Sequence, residues 1–406
     1  MLRATFVIYE VLMPAPLHPT EVAFFTECYR PIINGVVASI DGLRDALASV
    51  NVGVTIVAPH FPHERDANEA IVRLQSLPLP TSTGYRLCVP YMSRAVRERI
   101  RNVSLVHVHS PFVTGWIGSN FARRSCVPLV FTYHTRIDEY AHYAPFEPHV
   151  ARAALTTLTR TFANRADAVI VPTAAMQQRL RDFGVHVPIA VVPSSIDVEQ
   201  FAAGRRTRAV RAMLGGNDDA RIVLTVSRIA REKHLELALD ALARTRDVRL
   251  AIVGDGPDRA RLEKRVADLG VRDRVQFTGA LAPAAMPDVY ASSDAFVFPS
   301  PTETQGLVLA EALAAGLPVV AADGAVNREV LGGFGRLVPP DPQAYADALT
   351  AAVAAPRDPA GLESARLRFG RARQAEAVMN VYRSVSLCRT FGTPVREYAP
   401  GSESYR

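Results

Sequence analysis

Twice along this chain, short unbroken apolar runs alternate with stretches of helical period, and that repetition leaves few folds open. The first series of runs covers 22–26, 54–58, 105–109, 129–133 and 168–171; the second covers 222–226, 250–253, 275–278, 295–298 and 319–321. Runs this short and continuous are what strands buried on both faces require. Between them, Leu235, Leu239 and Leu242 share one helical face, as do Leu307, Glu311 and Leu313 with their alanine neighbours. Strand–helix alternation predicts parallel sheets covered by helices, and two series of five strands predict two such sheets. The 406 residues are ample for two buried cores, and an apolar fraction of 49% excludes wholesale disorder.

The expected fold class is α/β, with two Rossmann-like domains whose parallel sheets face each other across a cleft. The pattern breaks at Pro193-Ser194-Ser195-Ile196-Asp197 and resumes after the Arg-rich stretch 204–219. This divides the chain into an extension 1–20, a first domain 21–192, a linker 193–203 and a second domain 204–370. A helix over 371–388 is expected to cross back to the first domain, followed by a loose tail 389–406.

No apolar run approaches the roughly 18 residues of a membrane span. The segment 5–13 carries Glu10 and lacks a small-residue cleavage site, so it does not read as a signal peptide. Cys28, Cys88, Cys126 and Cys388 are scattered without metal or disulfide spacing, which points to a reducing cytosol. The net charge is +6, of which residues 1–195 hold +4 (18 arginines against 14 acids). That allows an anionic partner and does not call for nucleic acid. Of the 46 cations only Lys233 and Lys264 are lysine. A compact ammonium suits a place where a point charge fits and a planar fork does not.

Open α/β sheets bind ligands beyond the carboxyl ends of their strands, so the residues after each strand carry the chemistry. In the second domain, Arg228 and Lys233 stand five apart on a strand-to-helix loop, able to aim at a phosphate. Gly254-Asp255-Gly256-Pro257 follows the next strand, where glycines let a ligand approach the backbone. Then comes Pro299-Ser300-Pro301-Thr302-Glu303-Thr304-Gln305-Gly306-Leu307, with Glu303 at a strand end and a helix starting near Gly306. The N–H groups around Thr304 to Val308 form a candidate anion cradle. Glu311, on an otherwise apolar helix face, needs a partner that a ribose diol would supply. In the first domain, Asn34-Gly35-Val36 opens a helix where Gly35 permits close approach, and His134 stands at a strand end facing the cleft. His107 and His109 form an H-x-H; binding a metal there needs a third ligand, and a structural role is the alternative.

Glu303-x7-Glu311, with Arg228, Lys233 and Gly254-Asp255-Gly256-Pro257 upstream in the same order, resembles the retaining family 4 glycosyltransferases of the GT-B fold. The likeness covers about 22–384. It implies that Arg228 and Lys233 bind the diphosphate of a nucleotide-sugar donor, that Glu303 contacts hydroxyls of the donor hexose, and that Glu311 holds the ribose. It also implies that 275–279, with Phe277, flanks the base, that Asn34 and Gly35 close over the diphosphate, that Gly254, Thr304, Gln305, Gly306 and Leu307 line the donor site, and that His134 touches the sugar near its reacting carbon. No cofactor or metal is implied, since no D-x-D cluster follows a strand. Retention without an enzymic nucleophile implies front-face attack, with the leaving phosphate taking the acceptor proton. A non-catalytic nucleotide-sugar-binding protein and a sugar phosphorylase or sucrose-type synthase are the rival readings.

Asn34-Gly35-Val36-Val37, Glu303-Thr304-Gln305-Gly306 and the stretch His134…Asp138-Glu139-Tyr140…His142-Tyr143 are similar to bacterial diacylglycerol glucosyltransferases. Sulfoquinovosyl-diacylglycerol synthases and phosphatidylinositol mannosyltransferases resemble them less closely. This implies UDP-glucose as donor, a membrane lipid such as diacylglycerol as acceptor, and a cytoplasmic protein peripheral on the inner face of the plasma membrane. Residues 70–101 hold six arginines and one acid, and Met92, Val96, Ile100 and Val103 space as one helical face beside Arg94, Arg97 and Arg101. A basic amphipathic helix that lies on anionic lipid is the corresponding expectation, against an ordinary helix packed on its domain. Ser195 departs from the glycine usual in such relatives, which is costly if that position needs a positive φ.

Overall fold

The computed structural model describes residues 19–32, 34–62, 66, 68–79, 85–139 and 147–391. The extension before residue 19, the residues Tyr140, His142 and Tyr143, and the tail after 391 lie outside them. The first half contains β1 (Glu21–Phe25), β2 (Gly53–Pro59), β3 (Ile71–Leu74), β4 (Ser76–Pro78), β5 (Arg86–Cys88), β6 (Leu105–Val108), β7 (Leu129–Thr132), β8 (Ala168–Val171) and β9 (Ile189–Val191). The second contains β10 (Arg221–Val226), β11 (Val248–Val253), β12 (Val275–Gly279), β13 (Ala295–Phe298), β14 (Val319–Ala322) and β15 (Arg336–Val338).

Seven strands form the first sheet in the order β3-β2-β1-β6-β7-β8-β9, and six form the second in the order β12-β11-β10-β13-β14-β15. All pairings within both sheets are parallel; β4 and β5 make a separate antiparallel hairpin. Each sheet therefore winds outward in both directions from a central pair, β1/β6 in one and β10/β13 in the other. At such a reversal the loops leave on opposite faces and open a crevice, the usual ligand site of a doubly wound sheet. The central strands β6, β7, β8, β13 and β14 are buried throughout, which accounts for their unbroken apolar sequence.

Three apolar clusters hold the layers together. One covers a face of the first sheet with the helix Gly35–Ala48 and takes in Val378, Met379, Tyr382 and Val385 from the last helix, Arg371–Phe391. That last helix thus follows the second half in sequence but packs into the core of the first. A second cluster runs from Phe25, Val108 and Phe131 through Ile196 and Val198 to Phe298 and Leu309, and so joins the two halves. The helices Ala174–Asp182 and Ala325–Leu331 pack against each other across that joint. Glu329 accepts from the backbone N–H groups of Ala174 at 2.7 Å and Ala175 at 3.3 Å, a carboxylate at a helix N-terminus.

Two expectations are corrected here. Ser195 does not have a positive φ. Its hydroxyl donates to Gln374 Oε1 at 2.7 Å, so serine in the linker ties it to the last helix at no conformational cost. The expected lipid-facing helix is only Arg94–Arg99, and its apolar face is not available: Val96, Ile100 and Val103 are buried in the first-domain core with Met92 packed against them. Arg94, Arg97 and Arg101 are exposed. The exposed apolar side chains nearby lie on the hairpin and after it: Leu77 and Leu87, which pair across β4 and β5, and Tyr91.

Candidate active site in the cleft

The loops after β10 and β13 meet at the reversal point of the second sheet. Thr302 Oγ1 donates to the Glu232 carbonyl at 3.1 Å, and Ser300 Oγ lies 3.2 Å from the same oxygen, so the two loops are fastened together. Across this seam Lys233 Nζ lies 2.5 Å from Glu303 Oε1, with side-chain exposures of only 19% and 14%. Ser300 Oγ donates to the same carboxylate oxygen at 3.0 Å. Arg228 is paired with Glu232 on the same loop. Burial works to raise the Glu232 carboxyl, but a backbone hydrogen bond and the Arg228 and Lys233 charges hold it below the usual carboxylate range. The chain turns sharply after Lys233, where His234 has φ 51° and starts the helix Leu235–Leu242. Arg228, Lys233 and Glu303 are therefore brought together at one point, although 75 positions separate the first from the last.

The loop after β13 also reaches the first half. Thr304 Oγ1 donates to the His134 carbonyl at 2.8 Å, and the Thr304 carbonyl accepts from Thr173 Oγ1 at 2.9 Å. Gln305 is buried, and its side-chain amide makes a two-point contact with the Ser194 backbone: Oε1 accepts from the N–H at 2.8 Å and Nε2 donates to the carbonyl at 2.9 Å. The Gln305 side chain thus clamps the linker, while the group expected in the anion cradle is the backbone N–H of this stretch. Gly306 has φ 74°, which only glycine adopts without strain, and caps the helix Leu307–Ala314. Glu311 lies one turn into that helix. Its expected need for a ligand partner is met inside the protein, because the buried Tyr290 hydroxyl donates to its Oε2 at 2.6 Å. Burial pushes the Glu311 carboxyl up to about 7, and the Tyr290 bond works against that rise.

Two more expectations change in physical basis. Asn34 caps the helix Gly35–Ala48 through Val37 N–H, and its Nδ2 donates to Cys28 Sγ at 3.0 Å and Tyr85 Oη at 3.2 Å, so its side chain is occupied by protein. At Gly35, by contrast, an added Cβ would meet nothing within 4 Å, which leaves that helix entrance open. At Gly254 a Cβ would come within 1.9 Å of the Ser227 carbonyl, so the close approach there is of one loop to another. Phe277, on β12, has the Arg259 guanidinium 5.5 Å from its ring centroid.

Three histidines line the carboxyl ends of β6 and β7. His107 Nδ1 pairs with Tyr382 Oη at 2.7 Å and its Nε2 with Thr132 Oγ1 at 2.6 Å. Both nitrogens are occupied, so the H-x-H does not present two metal ligands; among the described residues no group of three or more His, Cys, Asp and Glu is placed to hold a metal. His109 Nδ1 is 2.8 Å from His134 Nε2. Burial lowers the pKa of all three, His134 to about 4, so they are neutral at pH 7. The His109–His134 pairing was not foreseen, although β6 and β7 being neighbours makes residues just past their ends neighbours too. Tyr290 and Ser300, which hold the two glutamates, carried no sequence signal of their own.

Comparison with known proteins agrees with this arrangement. The model for glycosyl transferases group 1 matches residues 207–370, and that for glycosyltransferase family 4 matches 33–200. The chain is 30% identical to an alpha-monoglucosyldiacylglycerol synthase of Streptococcus pneumoniae over 313 residues, which are 74% of this chain and 70% of that protein. It is 33% identical to a GDP-mannose-dependent alpha-mannosyltransferase of Mycobacterium tuberculosis over 316 residues, 76% of this chain and 81% of that one. Sucrose-phosphate synthase from Thermosynechococcus elongatus shares the fold, with a TM-score of 0.72 over 90% of this chain and 98% of its own at 23% identity. With both halves matched by family models and two relatives at 30% and 33% identity, the chain belongs to glycosyltransferase family 4, and is a glycosyltransferase of the GT-B fold.

Proposed function

We propose that this glycosyltransferase moves a hexose, with retention of configuration, from a nucleotide-sugar donor to a membrane lipid, UDP-glucose and diacylglycerol being the preferred pair. The observation that carries this reading is the Lys233–Glu303 contact at 2.5 Å, with Arg228 on the same loop and His134 tied to the neighbouring Thr304. An ammonium and a guanidinium at this point stabilise the charge that develops on a departing diphosphate, where preorganised charge is most effective. Glu303, beside them, takes hydroxyl protons of the hexose as hydrogen bonds, and the open helix entrance at Gly35 faces the phosphates. Glu311, with Tyr290, takes the ribose. The leaving phosphate oxygen removes the acceptor proton as the hydroxyl attacks from the same face. A mannosyl donor is the second reading, favoured by the mannosyltransferase relative. Purified protein assayed with a panel of nucleotide sugars against diacylglycerol vesicles and soluble sugars tests both readings. Transfer of glucose to the lipid is the expected result; nucleotide-sugar binding without transfer to any acceptor would leave a binding protein instead.

Because Arg228 and Lys233 take the place of a divalent ion, the transfer rate is expected to be unchanged by excess EDTA. Strict dependence on added Mg²⁺ or Mn²⁺ would remove the role given to the two cations.

Among the described residues no helix is long and apolar enough to cross a membrane. Attachment is therefore proposed to be peripheral, through Arg94, Arg97 and Arg101 together with Leu77, Leu87 and Tyr91, all exposed on the first domain. An arginine near an anionic surface contributes about 1 kcal/mol, so Arg94→Ser/Arg97→Ser/Arg101→Ser is expected to lower the affinity for phosphatidylserine liposomes by about a hundredfold at low salt. Co-sedimentation checks this; equal binding of triple variant and wild type would place the contact elsewhere.

A further inference from the structure

The ring of His134 is held from behind by a second histidine with no assigned role. His109 is 3% exposed, and its ring stands edge to edge with that of His134, centroids 5.1 Å apart and planes 27° from parallel. This is the geometry of an in-plane bond between His109 Nδ1 and His134 Nε2 at 2.8 Å. Both rings are neutral, so a single proton lies in that bond, and it can belong to either ring. The surroundings of His109 decide which. Its other nitrogen, Nε2, is buried without a hydrogen-bond partner. The His109 ring lies against the stacked His107 ring, centroids 4.3 Å apart, and the Phe24 ring, centroids 4.6 Å apart.

If His134 Nε2–H were the donor, His109 would carry its proton on Nε2, and a buried N–H would point at no acceptor. If His109 Nδ1–H is the donor, the orphan is a bare lone pair. Orphaned buried N–H groups are rarer in proteins than under-satisfied acceptors, and leaving a buried donor unmade is costly. His107 does not alter this choice, because each of its nitrogens faces a hydroxyl able to donate or accept. With Nε2 of His134 accepting, its proton must be on Nδ1. His134 is half-buried, and no described residue takes up that nitrogen.

We propose that His109 is a positioning residue for His134: it donates from Nδ1, fixes His134 in the Nδ1–H tautomer, and makes the accessible edge of His134 a hydrogen-bond donor to an oxygen of the sugar nucleotide. The tautomer assignment stands on the apo geometry alone. The ligand it meets rests on the proposed function, together with the contact to the donor sugar that the family resemblance implies for His134. A neutral donor there can bind a hydroxyl or phosphate oxygen without offering a proton to the departing group. His109 does not touch the substrate in this scheme.

Long-range proton–nitrogen correlation spectra of the full-length protein labelled with ¹⁵N-histidine read the tautomer directly at pH 7. Peaks are assigned with His134→Gln and His109→Asn. In the wild type, His134 and His109 are both expected to show a protonated Nδ1 and a bare Nε2; a protonated Nε2 on His134 would overturn the proposal whatever the variants do. The same proteins are then assayed for transfer. His109→Asn, whose amide places an N–H where Nδ1–H was, is expected to keep kcat within about threefold, and His109→Leu to lose about tenfold. Equal losses in two variants that fold alike would reduce His109 to packing. Should the wild type transfer no sugar at all, the functional reading fails while the spectra still decide the tautomer.

Discussion

Glu303→Gln is expected to lower kcat by about a thousandfold while the far-UV spectrum is kept and Tm moves by only a few degrees. The amide has the shape of the carboxylate and can still accept from Ser300 Oγ, which lies 3.0 Å from Oε1. What is lost is charge, at a point where the hexose gains positive character as the diphosphate leaves. Charge stabilisation that grows toward the transition state acts on kcat more than on KM. The stability cost is small because Lys233, facing a neutral amide in place of the carboxylate, still has 19% of its side chain exposed and reaches water. Steady-state kinetics on the variant check this. A kcat near wild type would put Glu303 outside the chemistry, and a fall in Tm matching the fall in activity would make it a scaffold residue.

Lys233→Arg is expected to lose about a hundredfold or more, close to Lys233→Ala, in a chain that uses arginine for 44 of its 46 cations. Lys233 is the last residue of a single tight turn, Arg231–Lys233, and the backbone immediately enters the left-handed region at His234. Its Nζ fits between that turn and the Glu303 carboxylate, 2.5 Å away. A guanidinium is wider, points its N–H groups in a fixed plane and would engage Glu303 with two of them. It would hold the carboxylate away from the sugar and present the diphosphate with a more diffuse charge. Nucleotide affinity measured alongside kcat separates the two consequences. Full activity in the arginine variant would show that any cation suffices at this position.

The interior of both sheets was legible because strands covered on both faces must be apolar throughout, as in Ala168–Val171 and Ala295–Phe298. The edges were not. Ile71–Leu74 contains Arg73, Arg336–Val338 begins with an arginine, and Ile189–Val191 is three residues long, so none makes a run that stands out. The cation and carboxylate positions were legible for another reason: a doubly wound sheet sends every loop after a strand to the same end, so position in sequence already implies position in the cleft. What each polar side chain touches there was not legible. Gln305, Asn34 and Glu311 all sit where a donor site was expected, yet their amides and carboxylate are engaged by Ser194, by Cys28 and Tyr85, and by Tyr290. The Gln305–Ser194 pairing, 111 positions apart, depends on how the second half meets the linker, and the others on side-chain packing within one half. The helix Arg94–Arg99 failed differently: an apolar face at helical spacing serves a protein core and a bilayer equally well, and only packing tells them apart.

The return of the last helix to the first sheet governs how such an enzyme can be recombined. Val378, Met379, Tyr382 and Val385 complete the core built on Gly35–Ala48, and Tyr382 also holds the His107 ring. A chimera cut once in the linker would leave the incoming half carrying a foreign helix into the retained one, with mismatched side chains under the histidines. Two crossovers, one in the linker and one before Arg371, keep that core native. The incoming segment must also bring a glutamine to meet the Ser194 backbone and a threonine to meet the His134 carbonyl. Parts from relatives that donate different sugars are therefore exchangeable as an inserted middle, not as a C-terminal half.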